Sequence, residues 1–291
     1  MQKRLLGLSF SLFLLFGVFA CTQAPQQPSP AAETSSAPGL VDDHFTYKEV
    51  SPGVWQIDDQ GLSNIYLVTG TTKALLIDSG QGKGNLLKTV REITALPVST
   101  VITHGHPDHA CGRFQFELIY GSAKDIELMD FFCTAPNQPT INPVKTGSHF
   151  DLGDRTIEVL EQPGHTAGSI VLLDKANKMT FTGDNNNILV WLYLGHSKPL
   201  KTYQDSLKRM NTYINKNEIN IIYPGHDGPN QPGLIADQIA CIDAILNQQC
   251  TGEPYTNELT PYSGQLCNSQ YAPACQSAQI VFDPKNLWEK P

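Results

Sequence analysis

Beyond residue 20 the chain has no apolar run long enough to span a bilayer and no basic amphipathic stretch, so neither a spanning helix nor a basic surface helix has support there. Positive charge is scarce: 20 Lys and Arg stand against 28 Asp and Glu, for a net charge of -8. So acidic a chain is a poor partner for a phosphate backbone, which argues against nucleic acid. There is no Gly-x-Ser-x-Gly elbow and no convincing Ser-His-Asp arrangement, so serine-dependent hydrolysis has no candidate nucleophile. No internal repeat is visible, and nothing in the pattern specifies an oligomeric state.

The first twenty residues read as a targeting segment. Lys3 and Arg4 precede an apolar run over 5–19, followed by Ala20-Cys21. The run is too short for a membrane span and carries the flanks of a secretory signal. Val18-Phe19-Ala20-Cys21 resembles a bacterial lipobox, in which Cys21 becomes the lipidated first residue. The other reading is an ordinary cleaved signal with Cys21 free or paired. Removing Lys3 and Arg4 with the leader takes the net charge to -10. Residues 21–39, rich in Pro, Gln, Ala, Ser and Thr, cannot bury a core and read as a tether. The expected order is a signal over 1–20, a linker over 21–39 and a folded domain over 40–291, exported and held at the membrane by a lipid anchor only.

Six cysteines remain: Cys111, Cys133, Cys241, Cys250, Cys267 and Cys275. An even number in an oxidising compartment suggests disulfides, and the clustering of four from Cys241 onwards places bridges there. Six cysteines allow fifteen connectivities, among which the sequence does not choose. Cys111 could instead be a small buried residue two positions past His109.

Residue periodicity predicts strands over 54–57, 64–68, 74–77, 98–103, 156–160, 169–173, 179–182, 219–223 and 279–282. It predicts helices over 83–93, 123–132, 203–214 and around Ile235, Ile239, Ile242 and Leu246. Residues 134–147 read as a long loop, either a lid or an insertion fixed by Cys133. Two face-to-face sheets with helices outside fit this α/β order, and a three-layer doubly wound sheet also remains open.

The strand over 98–103 releases Thr103-His104-Gly105-His106-Pro107-Asp108-His109. Three imidazoles and a carboxylate at one strand end suit a borderline cation such as zinc. Further strand ends carry Pro163-Gly164-His165, Thr182-Gly183-Asp184 and Pro224-Gly225-His226. Each alone is an ordinary structured turn; in series they form a set.

In that order the motifs resemble those of the metallo-β-lactamase superfamily, over roughly residues 50–230. The resemblance implies a four-layer αββα sandwich with a metal pair between the sheet edges. It implies His104, His106 and His165 on one zinc, Asp108, His109 and His226 on a second, and Asp184 bridging the two. Asp78, in Ile77-Asp78-Ser79-Gly80, would orient a ligand from behind. Two zinc ions sharing a hydroxide would attack a lactone, ester, thioester or amide carbonyl in a small-molecule substrate, with Asp108 relaying a proton.

No Cys lies between His165 and His226, unlike the zinc-cysteine lactamases. A bridging Asp resembles the glyoxalase II, lactonase and phosphodiesterase-like members. Where glyoxalase II has a Gly-Gly-Cys-Gly-Arg-like stretch, this chain reads Asn185-Asn186-Asn187-Ile188-Leu189, which argues against the glutathione thioester. Asn186, Trp191, Tyr193 and His196 are candidates for the pocket mouth. For Trp191 and Tyr193 the alternative is ordinary packing, and for His196 a surface or supporting position. His44 and His149 read as surface residues. β-Lactam hydrolysis is one alternative activity, a single-iron oxidoreductase acting on persulfides is another, and a non-catalytic binding protein with structural zinc is a third. Against the third, seven ligand positions are filled where a structural zinc usually needs four.

Overall fold

The computed structural model describes residues 43–136 and 138–290; the expected signal, linker and Cys21 lie outside these. A first sheet has seven strands in chain order: β1 (Thr46–Ser51), β2 (Val54–Asp58), β3 (Asn64–Thr69), β4 (Ala74–Ile77), β5 (Val98–Val101), β6 (Ile119–Ser122) and β7 (Ile141–Val144). β1 to β4 form an antiparallel meander, and β4 to β7 run parallel. The parallel strands are joined through α1 (Leu86–Ile93), α2 (Pro107–Ala110) and α3 (Ile126–Phe132). Asn85 caps α1, its side chain accepting from Lys88 N at 3.0 Å.

A second sheet is ordered β13-β11-β10-β9-β8, from β8 (His149–Asp151), β9 (Thr156–Glu161), β10 (Ile170–Asp174), β11 (Met179–Gly183) and, after β12 (Leu189–Leu192), β13 (Ile221–Pro224). Against it pack α4 (Leu200–Lys216) and α5 (Gly233–Leu246). A third sheet, not expected from the sequence, is ordered β12-β16-β15-β14, with β14 (Glu253–Thr256), β15 (Ser263–Cys267) and β16 (Gln279–Phe282).

The layers follow from the two-residue alternation of strand side chains. Ile65, Leu67, Ala74 and Leu76 face Leu86 and Val90 of α1 and Met129 of α3. Their neighbours Tyr66, Val68, Leu75 and Ile77 face Ile157, Val159, Ile170 and Leu172 of the second sheet. Leu160, Val171 and Leu173 face Leu207 and Met210 of α4 and Ile242 of α5. Helix, sheet, sheet and helix thus make the expected αββα sandwich, and the doubly wound alternative falls. Central strands buried on both faces explain why their sequences are continuously apolar. Among the described residues no helix is long and apolar enough to cross a membrane.

Three expectations change. The predicted loop over 134–147 contains β7, an edge strand whose Ile141 and Val144 are buried. Asn142 and Pro143 break its apolar pattern, and an edge position tolerates the proline. His44 is not a surface residue: its side chain is buried against Asp59, 2.6 Å from Oδ1. Cys111 is not an isolated buried thiol, because it is bonded to Cys133. The other bridges are Cys241–Cys275 and Cys250–Cys267, in the region where the clustering placed them. The first ties α5 to the connection between β15 and β16, and the second ties the segment after α5 to β15.

Candidate metal centre

β4 and β5 are parallel neighbours, with Ile77 beside Val101, so both strands end at one point. Beyond them come Asp78 and Thr103. Asp78 holds a left-handed backbone, φ 65°, and its buried carboxylate accepts Thr103 N at 2.7 Å, Thr103 Oγ1 at 2.8 Å and His109 Nδ1 at 2.9 Å. In the facing sheet β11 and β13 are also parallel neighbours. They end at Gly183 and Pro224, with Gly225 N donating to Gly183 O at 2.9 Å. A Cβ on Gly225 would lie 2.3 Å from Asp184 Oδ1 and 2.8 Å from His109 Cε1. This turn therefore needs glycine for close approach, whatever its φ.

His165 lies in the turn after β9, so the ends of β5, β9, β11 and β13, in two sheets, deliver the ligand motifs together. His104, His106, His165 and Asp184 each present a ligand atom, all mutually within 4.8 Å, and Asp108, His109 and His226 form a second such group. In the first, His106 Nδ1 lies 3.1 Å from His104 Nε2 and 2.8 Å from His165 Nε2. In the second, Asp108 Oδ2 lies 3.4 Å from His109 Nε2 and 3.3 Å from His226 Nε2. Asp184 reaches both: Oδ2 is 3.4 Å from His165 Nε2 and 3.2 Å from His226 Nε2, while Oδ1 is 3.2 Å from His109 Nε2.

The tautomers follow from the partners behind the rings. His165 Nδ1 sits 2.7 Å from Trp191 O, which can only accept, and His109 Nδ1 faces the Asp78 carboxylate. Their protons are committed outwards, so Nε2 of each turns a lone pair inwards. Lone pairs and carboxylates converging in a buried space repel one another unless a cation lies between them. Asp184 Oδ1 is buried and makes no hydrogen bond, which at a donor cluster of this kind is the mark of a metal ligand. The residues therefore fit a metal.

The electrostatics point the same way. Burial opposes ionisation of Asp184, yet His226 and His109 hold its carboxyl well below the usual range. Burial also opposes a charged His226, yet Asp184 and Asp108 push it up to about 10. Burial and the neighbouring His109 keep His104 well below the ordinary imidazole range. The carboxylates draw positive charge to His109 and His226, and the crowded imidazoles of the first group, His104, His106 and His165, refuse protons.

The pocket-mouth candidates divide. Asn186 is not at the mouth: it is fully buried, and its Nδ2 donates to Gln238 Oε1 on α5 at 2.8 Å. The whole Asn185–Asn187 run is scaffolding. Asn185 Oδ1 accepts His165 N and Asn187 Oδ1 accepts His226 N, both at 3.2 Å. Tyr193 is buried and packs edge-on to Trp191 at 5.7 Å between ring centroids. Burial, with Tyr255 beside it, pushes the Tyr193 hydroxyl up to about 12. Trp191 serves through its carbonyl. His196, by contrast, joins the cluster: its Nε2 meets His106 Nε2, and its ring stands 6.1 Å from that of Phe132. Burial and the nearby His165 push His196 down to about 4.

Asp125 escaped the sequence reading. It is buried and clamps two ligand turns together, accepting Gly105 N at 2.9 Å, Thr166 Oγ1 at 2.5 Å and Gly168 N at 2.7 Å. Its partners lie 20, 41 and 43 residues away, so no local motif marks it.

The chain is similar to several known proteins. The acyl-coenzyme A thioesterase MBLAC2 of Gallus gallus is 26% identical over 226 residues, covering 62% of this chain and 80% of that protein. An atrochrysone carboxyl ACP thioesterase of Aspergillus fumigatus is 29% identical over 184 residues, covering 60% of this chain and 53% of its own length. The solved metallo-beta-lactamase from Pontibacter korlensis superposes with a TM-score of 0.55 at 22% identity, over 67% of this chain and 97% of that one. The model of one family matches residues 58–226, the span from the end of β2 to the last histidine of the cluster, and the chain belongs to it: the metallo-beta-lactamase superfamily.

Proposed function

We propose that the protein is a di-zinc hydrolase that cleaves acyl carbonyl bonds, with thioesters and esters ahead of lactones and β-lactams. The observation that carries this reading is Asp184, whose two carboxylate oxygens face the two ligand groups. His104, His106 and His165 would hold one ion and Asp108, His109 and His226 the other. Bound zinc supplies an activated water near neutral pH and polarises the scissile carbonyl. The chain's own part is placement. Asp78, Asp125 and the Trp191 carbonyl fix the ligand rings and turns. Asp108 keeps part of its side chain exposed and is the group that takes and passes on a proton.

The substrate preference has two supports. Two of the relatives are thioesterases by name. Beside the cluster stand the exposed rings of Phe131 and Phe132, the latter 6.1 Å from His106, and an exposed apolar pair at a site mouth suits an apolar acyl group. Export and lipid anchoring at Cys21 belong to the same proposal and rest on the leader sequence alone.

The test is elemental mass spectrometry on residues 40–291 purified without added metal, followed by acyl-coenzyme A, aryl ester, lactone and β-lactam assays. Two equivalents of zinc with thioester or ester turnover support the reading. One equivalent of iron with oxygen consumption on a persulfide overturns it.

A further inference from the structure

Four of the five ring ligands have an outward nitrogen that meets a named partner. That of His104 faces Thr103 Oγ1 at 3.1 Å, that of His165 faces Trp191 O at 2.7 Å, and that of His109 faces Asp78 Oδ2 at 2.9 Å. His106 is turned the other way round. Its Nδ1 faces the cluster, so its outward nitrogen is Nε2, and what meets Nε2 is the imidazole of His196.

A metal ligand at Nδ1 leaves the ring proton of His106 on Nε2. His196 Nε2 then accepts it, and the proton of His196 lies on its own Nδ1. Two neutral imidazoles joined this way fix each other's tautomers.

The loop bearing His196 is built to hold it there. Ser197 Oγ donates to His165 O at 3.0 Å, Lys198 N donates to Gly164 O at 2.8 Å, and Asn286 Nδ2 donates to Ser197 O at 3.2 Å. Gly195 lies so close to the Tyr262 ring that a Cβ would stand 2.4 Å from its hydroxyl. Phe132 closes the other side. A side chain pinned by both neighbours in sequence is not a surface histidine that happens to lie nearby.

We propose that His196 is a positioning residue for the first metal, acting as the hydrogen-bond acceptor that orients His106. This rests on the metal reading above. Supporting partners of this kind are typically worth about 10–100-fold in metal affinity.

The test is zinc affinity by competition with a chromophoric chelator, on wild type, His196→Ala and His196→Gln, with thermal unfolding of each metal-free protein as the folding control. Gln keeps an acceptor and Ala does not. The expected result is a loss of about 10–100-fold at one of the two sites in His196→Ala, largely restored in His196→Gln, with similar metal-free unfolding. If the alanine protein does not fold, His196→Leu, which fills the volume without an acceptor, takes its place. Unchanged affinity in the acceptor-free variant, or a glutamine variant as weak as it, overturns the proposal alone. A wild type that takes up no zinc overturns the metal reading, and this one with it.

Discussion

Asp78 and His109 are joined across 31 residues by a 2.9 Å hydrogen bond, Nδ1 donating to Oδ2, inside a pocket that buries both. The same carboxylate also holds Thr103, the residue before the first ligand. One acid therefore sets a ring of the second ligand group and the entry to the first.

Asp78→Ala is expected to lower zinc affinity by about 10–100-fold. It also places alanine at φ 65°, which costs a further 1–2 kcal/mol or about that. Asp78→Asn tolerates the backbone and keeps an acceptor, so its losses are smaller. Chelator competition and denaturant unfolding on both variants separate the two effects.

Asp184→Ala removes the side chain shared by both groups. Its expected loss of hydrolysis exceeds the roughly 10–100-fold of a supporting residue, and its zinc content falls below two equivalents. Full activity in this variant would sink the bridging assignment. In the wild type, chelation should lower the unfolding temperature, because a ligand held only by the folded state stabilises it.

Asp125→Ala leaves Gly105 N and Gly168 N without their acceptor. The expected cost is about 3 kcal/mol, with weakened binding at the first group because both of its turns loosen. Urea unfolding of the metal-free protein reads the first effect and zinc titration the second.

The Cys111–Cys133 bridge closes a separation of 22 residues, for which chain entropy gives about 3 kcal/mol. A Cys111→Ser/Cys133→Ser double variant should lose about that much in denaturant unfolding. It should also free α3, whose last residues are Phe131 and Phe132, and so raise KM for long-chain acyl substrates more than it lowers kcat.

Lys124 ties the start of the α3 region to β9 through Glu161, at 2.8 Å. That ion pair holds the Glu161 carboxyl below its usual range. A depressed carboxylate stabilises the fold above its unfolded value of about 4.3 and loses that contribution as pH falls through the folded value. Both groups are partly exposed, so the effect is under about 1 kcal/mol. Lys124→Ala should lower neutral-pH stability by up to that amount, leave stability unchanged below both pKa values, and so flatten the acid limb of the stability curve.

Much of the centre was legible because its ligands are written in short strings at strand ends. His104 to His109 are contiguous, and His165, Asp184 and His226 each sit beside a glycine. What was not legible depends on distance along the chain. His196 meets His106 across 90 residues, and Asp125 meets Thr166 across 41. Asn186 looked like a polar mouth residue because its partner, Gln238, lies 52 residues on in α5. The sandwich could be read from continuous apolar runs, whereas β7 was hidden by Asn142 and Pro143. The third sheet was hidden because β12 finds its partner in β16, almost at the end of the chain.

That last pairing fixes an order of events during synthesis. All seven ligands have been made by His226, but the strand carrying Trp191, whose carbonyl orients His165, has no sheet to join until Gln279–Phe282 emerges. A contact of such long range closes late. The nascent chain therefore carries a complete set of ligands in an unfinished cage for more than fifty residues of elongation, from 226 to 279. Maturation of the centre waits for its most distant strand.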